Sequence, residues 1–132
     1  MKKNHKTVLS LALGAAALAS MTLASPMQTV NASEARYQQT IEFEDAANYD
    51  SAGDSRIESS QFGNYSGSGY LYLTSGWGDV SFSVPHDGEY TITIASNADS
   101  YKENYLYLDD TDAGKLTTDG NGWQEYTSTY YL

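Results

Sequence analysis

Val80-Ser81-Phe82-Ser83-Val84, followed across Pro85-His86-Asp87-Gly88 by Tyr90-Thr91-Ile92-Thr93-Ile94, decides the fold class. In both runs large apolar residues alternate one by one with small polar ones. Successive side chains of an extended chain point to opposite faces, so a period of two marks a half-buried β-strand and not a helix. Between the runs, Pro85 presets its own φ and Gly88 is free to take a positive one. The stretch therefore predicts two strands joined by a tight turn.

The same alternation recurs on either side. Thr40-Ile41-Glu42-Phe43-Glu44 puts Ile41 and Phe43 on one face and both glutamates on the other. Gly69-Tyr70-Leu71-Tyr72-Leu73 and Tyr105-Leu106-Tyr107-Leu108 alternate tyrosine with leucine, and Tyr126 to Tyr131 is rich in the Thr and Tyr that strands favour. Asn64 to Gly69, Ser75 to Asp79, Asp110 to Gly114 and Asp119 to Gly122 carry Gly, Ser, Asn and Asp and read as loops and turns. No helical period appears between the strands, which predicts an all-β domain, a β-sandwich or barrel.

Residues 1–32 read differently. Lys2, Lys3, His5 and Lys6 make a basic start, Val8 to Leu23 is uncharged and apolar, and Val30 and Ala32 stand at the −3 and −1 positions of a peptidase site. This is the plan of a secretory signal peptide, and the uncharged run is short for a membrane span, which needs about 20 strongly apolar residues. The expectation is export, cleavage after Ala32, and one mature domain, residues 33–132, with no membrane span left after processing. That part keeps four basic residues against all 17 acidic ones. Such acidity excludes nucleic acid and anionic membrane surfaces as partners, since both need basic patches. The chain has no cysteine, so a small exported domain that would often be stapled by disulfides needs another device, a structural metal being one.

Glu42 and Glu44, side by side on one strand face, repel each other, and a cation between them would remove that cost. Hard oxygen ligands of this kind suit Ca²⁺. Otherwise they form a solvated strand face. Asp109, Asp110 and Asp112 before Gly114 lack the twelfth-position glutamate and flanking helices of a hand-type calcium loop and read as a solvated hairpin. Trp77 and Trp123 sit among glycines in predicted loops, where turn chemistry calls for no indole. Each either plugs the end of the domain or offers a flat apolar face to a ligand such as a sugar ring. The mature part has one histidine, His86, and no cysteine. A Ser-His-acid triad finds no support and no phosphate loop is present, so the chain is not expected to be an enzyme.

Four of these stretches, in order, resemble carbohydrate-binding modules of families 35 and 6. Ile41-Glu42-Phe43-Glu44-Asp45-Ala46 is similar to their opening Glu-x-Glu strand, and Tyr65-Ser66-Gly67-Ser68-Gly69-Tyr70-Leu71 to their Gly/Ser loop. The Val80–Ile92 stretch resembles their most recognisable hairpin, and Gly122-Trp123-x-x-Tyr126 their Gly-Trp-x-x-aromatic motif. The resemblance implies a jelly-roll sandwich, a structural calcium held in part by Glu42 and Glu44, and a poly- or oligosaccharide site in loops at one end. It places Trp123 under a sugar, with Tyr72 or Trp77 as its partner. Those modules continue beyond the Gly-Trp motif with further strands that have no counterpart before Leu132. The resemblance therefore leaves the last strand's place either empty or filled by another segment. The competing reading is a degenerate module that serves as a structural or interaction protein at the cell surface without binding sugar.

Overall fold

A computed structural model describes residues 6–12, 16–25, 37–50, 55–74 and 76–132. The fold is all-β, two antiparallel sheets packed face to face. In chain order the strands are β1 (Lys6–Ala12), β2 (Ala16–Ala24), β3 (Gln38–Glu42), β4 (Asn48–Tyr49), β5 (Arg56–Glu58), β6 (Tyr70–Leu73), β7 (Trp77–Ser83), β8 (Glu89–Asn97), β9 (Lys102–Leu108), β10 (Thr111–Thr118) and β11 (Gln124–Tyr131). One helical turn, α1 (Phe43–Ala46), follows β3. The five-stranded sheet runs β10-β9-β1-β7-β4 and the six-stranded sheet β11-β8-β2-β6-β5, with β3 paired to β2 beside β6.

The core lies between the sheets. Val80 and Phe82 of β7, Leu106 of β9 and Leu116 of β10 meet Leu18, Met21 and Leu23 of β2, Leu71 and Leu73 of β6, and Ile92 and Ile94 of β8. Strands β6, β7 and β8 contribute alternate residues, as the period of two requires, and in β2 a bulge between Leu18 and Ser20 spaces Leu18 and Met21 three apart. Gly78 is the point of closest approach: a Cβ there would stand 2.6 Å from Leu71 Cδ2 and 3.1 Å from Leu73 Cδ2, inside van der Waals contact. The outer face of the six-stranded sheet is partly a threonine surface. Register sets Thr40, Thr22, Thr93 and Thr127 in one row across four strands. Hydroxyl pairs lie at 3.3 Å (Thr22–Thr40) and 3.2 Å (Thr93–Thr127).

The sequence expectations meet four differences. The described residues of the apolar run expected as the core of a leader lie in two strands, Val8–Ala12 in β1 and Ala16–Leu23 in β2, one in each sheet, and β2 is buried along most of its length. The expected processing site after Ala32 lies outside the described residues. On the near side of that gap Ser25 N–H donates to Tyr37 O at 3.0 Å and Tyr37 N–H to Ser25 Oγ at 2.9 Å, so both ends are held together. Next, Pro85–Gly88 does not close a hairpin: β7 and β8 belong to different sheets, and the turn is an arch across the core. Alternation reports which face a residue takes and says nothing of which strand lies alongside. Third, the opening strand ends at Glu42, because the chain turns into α1 and Glu44 leaves from that turn.

The fourth difference is the acidic hairpin. Its turn is Asp109-Asp110, both at positive φ (50° and 65°), and Thr111–Thr118 is a full strand where a longer polar turn was expected. Two consecutive positive φ values form the mirror-image turn that matches the right-handed twist of a hairpin. Aspartate tolerates this region better than most residues, and a β-branched residue does not. Asp110→Val is therefore expected to lower stability by about 1–2 kcal/mol and Asp110→Gly to leave it equal or higher, both read as thermal unfolding midpoints.

Candidate functional site

A second, smaller cluster lies on the outer face of the six-stranded sheet. It is built from the residues that alternate with the core set: Ala17 and Ala19 of β2, Tyr70 and Tyr72 of β6, and Ala95 of β8. The loop between β5 and β6 folds down over them with Phe62 and Tyr65, and Trp123 closes in from the start of β11. The alanines matter here, because small side chains on β2 and β8 leave room for large rings above the sheet.

Tyr70 holds the loop in place. Its ring is fully buried, and its hydroxyl oxygen accepts the backbone N–H groups of Gln61 at 2.9 Å and Phe62 at 3.0 Å. Tyr65 packs edge-on against it at 5.3 Å and donates its own hydroxyl to Ser59 O at 3.1 Å. Gln61 Nε2 reaches Asp99 Oδ1 at 3.1 Å, which ties the loop to the end of β8.

Trp123 is presented by the turn Asp119–Gly122, in which Gly120 and Gly122 have φ of 88° and 99°. The Asp119 carboxylate accepts Asn121 N–H at 2.9 Å, which holds this carboxyl below its ordinary value. Asp119 N–H donates to Gln124 Oε1 at 2.8 Å. The indole N–H donates to Gly63 O at 2.6 Å, and the ring meets Phe62 and Tyr70 edge-on at 6.3 and 5.9 Å. Trp123 is thus half plug and half surface: packed among aromatic rings yet partly open to solvent.

In front of it opens a cleft of about 190 Å³. Ala19, Ser20 and Ala95 form its floor, Asn64, Tyr65 and Ser66 one wall, and Trp123, Gln124 and Glu125 the other. Asn64 stands at φ 62°, a left-handed conformation that asparagine accepts and that fixes the direction of its amide. The cleft combines two aromatic rings with hydroxyl, amide and carboxylate groups, a surface suited to a polar ligand with an apolar face.

The structure brings Tyr72 and Trp123 into one cluster and leaves Trp77 out. Trp77 is 45% exposed and faces outward from β7 in the other sheet, because Gly78, Val80 and Phe82 take the inward positions. Tyr72 is present but partly occupied: the Arg56 guanidinium covers its ring at 5.2 Å and is itself paired with Glu58 at 3.0 Å. Asn64, Tyr65, Gln124 and Glu125 were not among the expected site residues. The signals for them were the Asn-Tyr-Ser run in the Gly/Ser loop and the polar pair directly after the Gly-Trp motif.

The two glutamates expected to share a metal do converge, although Glu44 is off the strand. Both point at the loop Ser66-Gly67-Ser68. Glu42 Oε2 accepts the Ser66 hydroxyl at 2.8 Å and Glu44 Oε1 accepts Ser68 N–H at 2.9 Å. Gly67, at φ 66°, lies so close that a Cβ would strike Glu44 Oε1 and stand 3.3 Å from Glu42 Cδ. Glu44 Oε2 is buried with no hydrogen-bond partner among the described residues. Among the described residues no group of three or more His, Cys, Asp or Glu stands together, so a cation here would rest on two carboxylates plus backbone or water oxygens. Comparison with protein-family models, with curated proteins and with solved structures gives no match.

Tyr70→Phe removes the acceptor of two loop N–H groups while keeping the ring. Both bonds are part-buried, and losing a hydrogen bond of that kind costs about 0.5–1.5 kcal/mol. The expected result is a loss of that order in urea unfolding, with faster amide hydrogen exchange at Gln61 and Phe62.

Proposed function

We propose that this protein is a secreted, non-catalytic carbohydrate-binding module of the family 35 and 6 type, a jelly-roll sandwich that takes a poly- or oligosaccharide in the cleft beside Trp123. The observation that carries the reading is the make-up of that cleft within residues 33–132: an indole and a phenol ring beside the side chains of Asn64, Ser66, Gln124 and Glu125. Sugar rings have apolar C–H faces that lie on aromatic surfaces and hydroxyls that need donors and acceptors at their rim. The ordered matches of sequence support the same reading. The basic start and the apolar run support export. No helix among the described residues is long and apolar enough to cross a membrane.

A shallow site of this size predicts weak binding, with Kd on the order of 10 μM to 1 mM, or roughly −7 to −4 kcal/mol. The test is calorimetric titration of the purified protein against a panel of plant and microbial glycans. A panel with no binder overturns the reading. Asn64→Gly keeps the left-handed backbone and deletes the amide, so it is expected to weaken binding with the melting midpoint unchanged. Trp123→Ala is expected to abolish binding and also to lower stability. That loss should fall below the about 3–5 kcal/mol of a fully buried aromatic, because the ring is only partly enclosed.

Calcium is proposed as a structural ion at Glu42 and Glu44. The convergence of both carboxylates on one glycine and the buried Glu44 Oε2, with no partner among the described residues, support it. Bound there, the ion would neutralise the pair and fasten the Gly/Ser loop, one wall of the cleft, to α1. An ion that binds only the folded state adds about 2.7 kcal/mol at a hundredfold excess over Kd. Millimolar calcium is expected to raise the melting midpoint and chelator to lower it, with both shifts lost in Glu44→Gln. An equal response of wild type and variant overturns the assignment.

A further inference from the structure

Strands β1 and β2 each occupy the middle of a sheet. All seven residues of β1 are in register with β7, from Lys6↔Ser83 to Ala12↔Trp77, and Leu9 to Ala12 pair with β9 on the other side. On one side β2 pairs with β8 from Ala17 to Ala24, through a bulge between Leu18 and Ser20. On the other side it pairs with β6 over Ala16–Leu18 and with β3 over Ser20–Ala24. Without residues 6–24, the five-stranded sheet falls into β10-β9 and β7-β4. The six-stranded sheet falls into β11-β8 and β6-β5, and β3 loses the strand it pairs with.

What remains is a lane one strand wide in each sheet, bordered by backbone N–H and C=O groups that have lost their partners. Such edges are costly when buried and adhesive when exposed. The side chains argue the same way. Leu18, Met21 and Leu23 are fully buried in the core, and Ala17 and Ala19 underlie the aromatic cluster. Their loss would open a cavity that runs the length of the sandwich, and no disulfide is present to hold the halves together.

We infer that residues 33–132 are a strand acceptor and that residues 6–24 are their donor, one strand for each sheet. The apolar segment then has two exclusive fates. Drawn out as an export leader before folding, it leaves an acceptor with empty lanes. Kept with the domain, it completes both sheets and supplies Ala19 and Ser20 to the floor of the cleft. A cut within 26–36 after folding leaves the segment bound, because the pairings that hold it are made by β1 and β2. This inference stands whether or not the cleft takes a sugar.

The test uses the full chain with a site-specific protease recognition sequence placed within 26–36 and cut after folding. The expected result is that both fragments co-elute on gel filtration at the mass of the uncut chain, melt within a few degrees of it, and separate only in denaturant. Elution of the N-terminal fragment by itself, with the remainder monomeric and its melting midpoint unchanged, overturns the inference. A second measurement needs no cut. Met21 faces the core and Thr22 the outer surface. Met21→Asp in the full chain is expected to abolish the cooperative transition and Thr22→Asp to shift it by only a few degrees. Equal tolerance of the two, as a detached leader would show, also overturns it.

Discussion

Backbone pairing along both edges of β2 is the constraint on which the rest of the structure depends. A strand with one partner can fray at little cost, whereas β2 is held by β8 along one edge and by β6 and β3 along the other. Through it the edge strand β11, the buried β8 and the opening strand β3 become one surface. The core-facing set Leu18, Met21 and Leu23 then fills the space opposite Val80, Phe82 and Leu106. Burying large apolar side chains of this kind stabilises by about 1.5–3 kcal/mol each, which is substantial for a domain of this size whose whole stability is of the order of 5–15 kcal/mol.

The cleft follows from the same strand by way of its other face. Its floor leaves room because Ala19 and Ala95 are small, and the bulge after Leu18 sets Ser20 beside them. One wall is a loop and the other is Trp123 with the first residues of β11, and each is tied down by hydrogen bonds to buried or backbone groups. Tyr70 accepts two N–H groups from one wall, and the indole N–H of the other wall reaches across to Gly63 O. Trp123 therefore joins the two walls as well as lining the space between them. A rigid aromatic with few rotamers to lose is well suited to both tasks.

Much of this was legible. Val80–Ser83 and Tyr90–Ile94 fall in strands with the inward residues that alternation assigned, Val84 just past β7 is buried, and Ile41 and Phe43 are both buried. Partners were less legible than faces. The Pro85–Gly88 turn has the chemistry of a hairpin, yet the chain uses it to cross between sheets, because pairing is decided by every strand competing for a place and not by the turn alone. Trp77 and Trp123 look alike in sequence, each beside glycine, but Trp77 lies in the other sheet, on the outward face that the parity of β7 gives it. The run Val8 to Leu23 was the least legible. Its uniform apolar, uncharged character fits a leader, and the alternation Ser20-Met21-Thr22-Leu23 inside it is short. A strand buried on both faces loses the polar half of the pattern by which strands are recognised. Here alanine on one face and leucine or methionine on the other replaced it.

That double role explains why a segment of such plain composition bears so much of the architecture. A strand at the centre of a sheet whose two faces are both covered must be apolar throughout, small where rings lie above it and large where the opposite sheet lies below. Ala17-Leu18-Ala19 meets both demands within three residues: Ala17 and Ala19 lie beneath the aromatic cluster and Leu18 enters the core. An export leader must also be apolar and uncharged, and it asks nothing of the order in which small and large residues come. The order is therefore the informative quantity. Ser20 and Thr22 face outward past the end of the aromatic cluster, where the sheet surface becomes a row of threonines, while Met21 and Leu23 stay in the core. This change from alanine to hydroxyl residues on the outer face follows the change from covered to open surface, as a strand in that position requires.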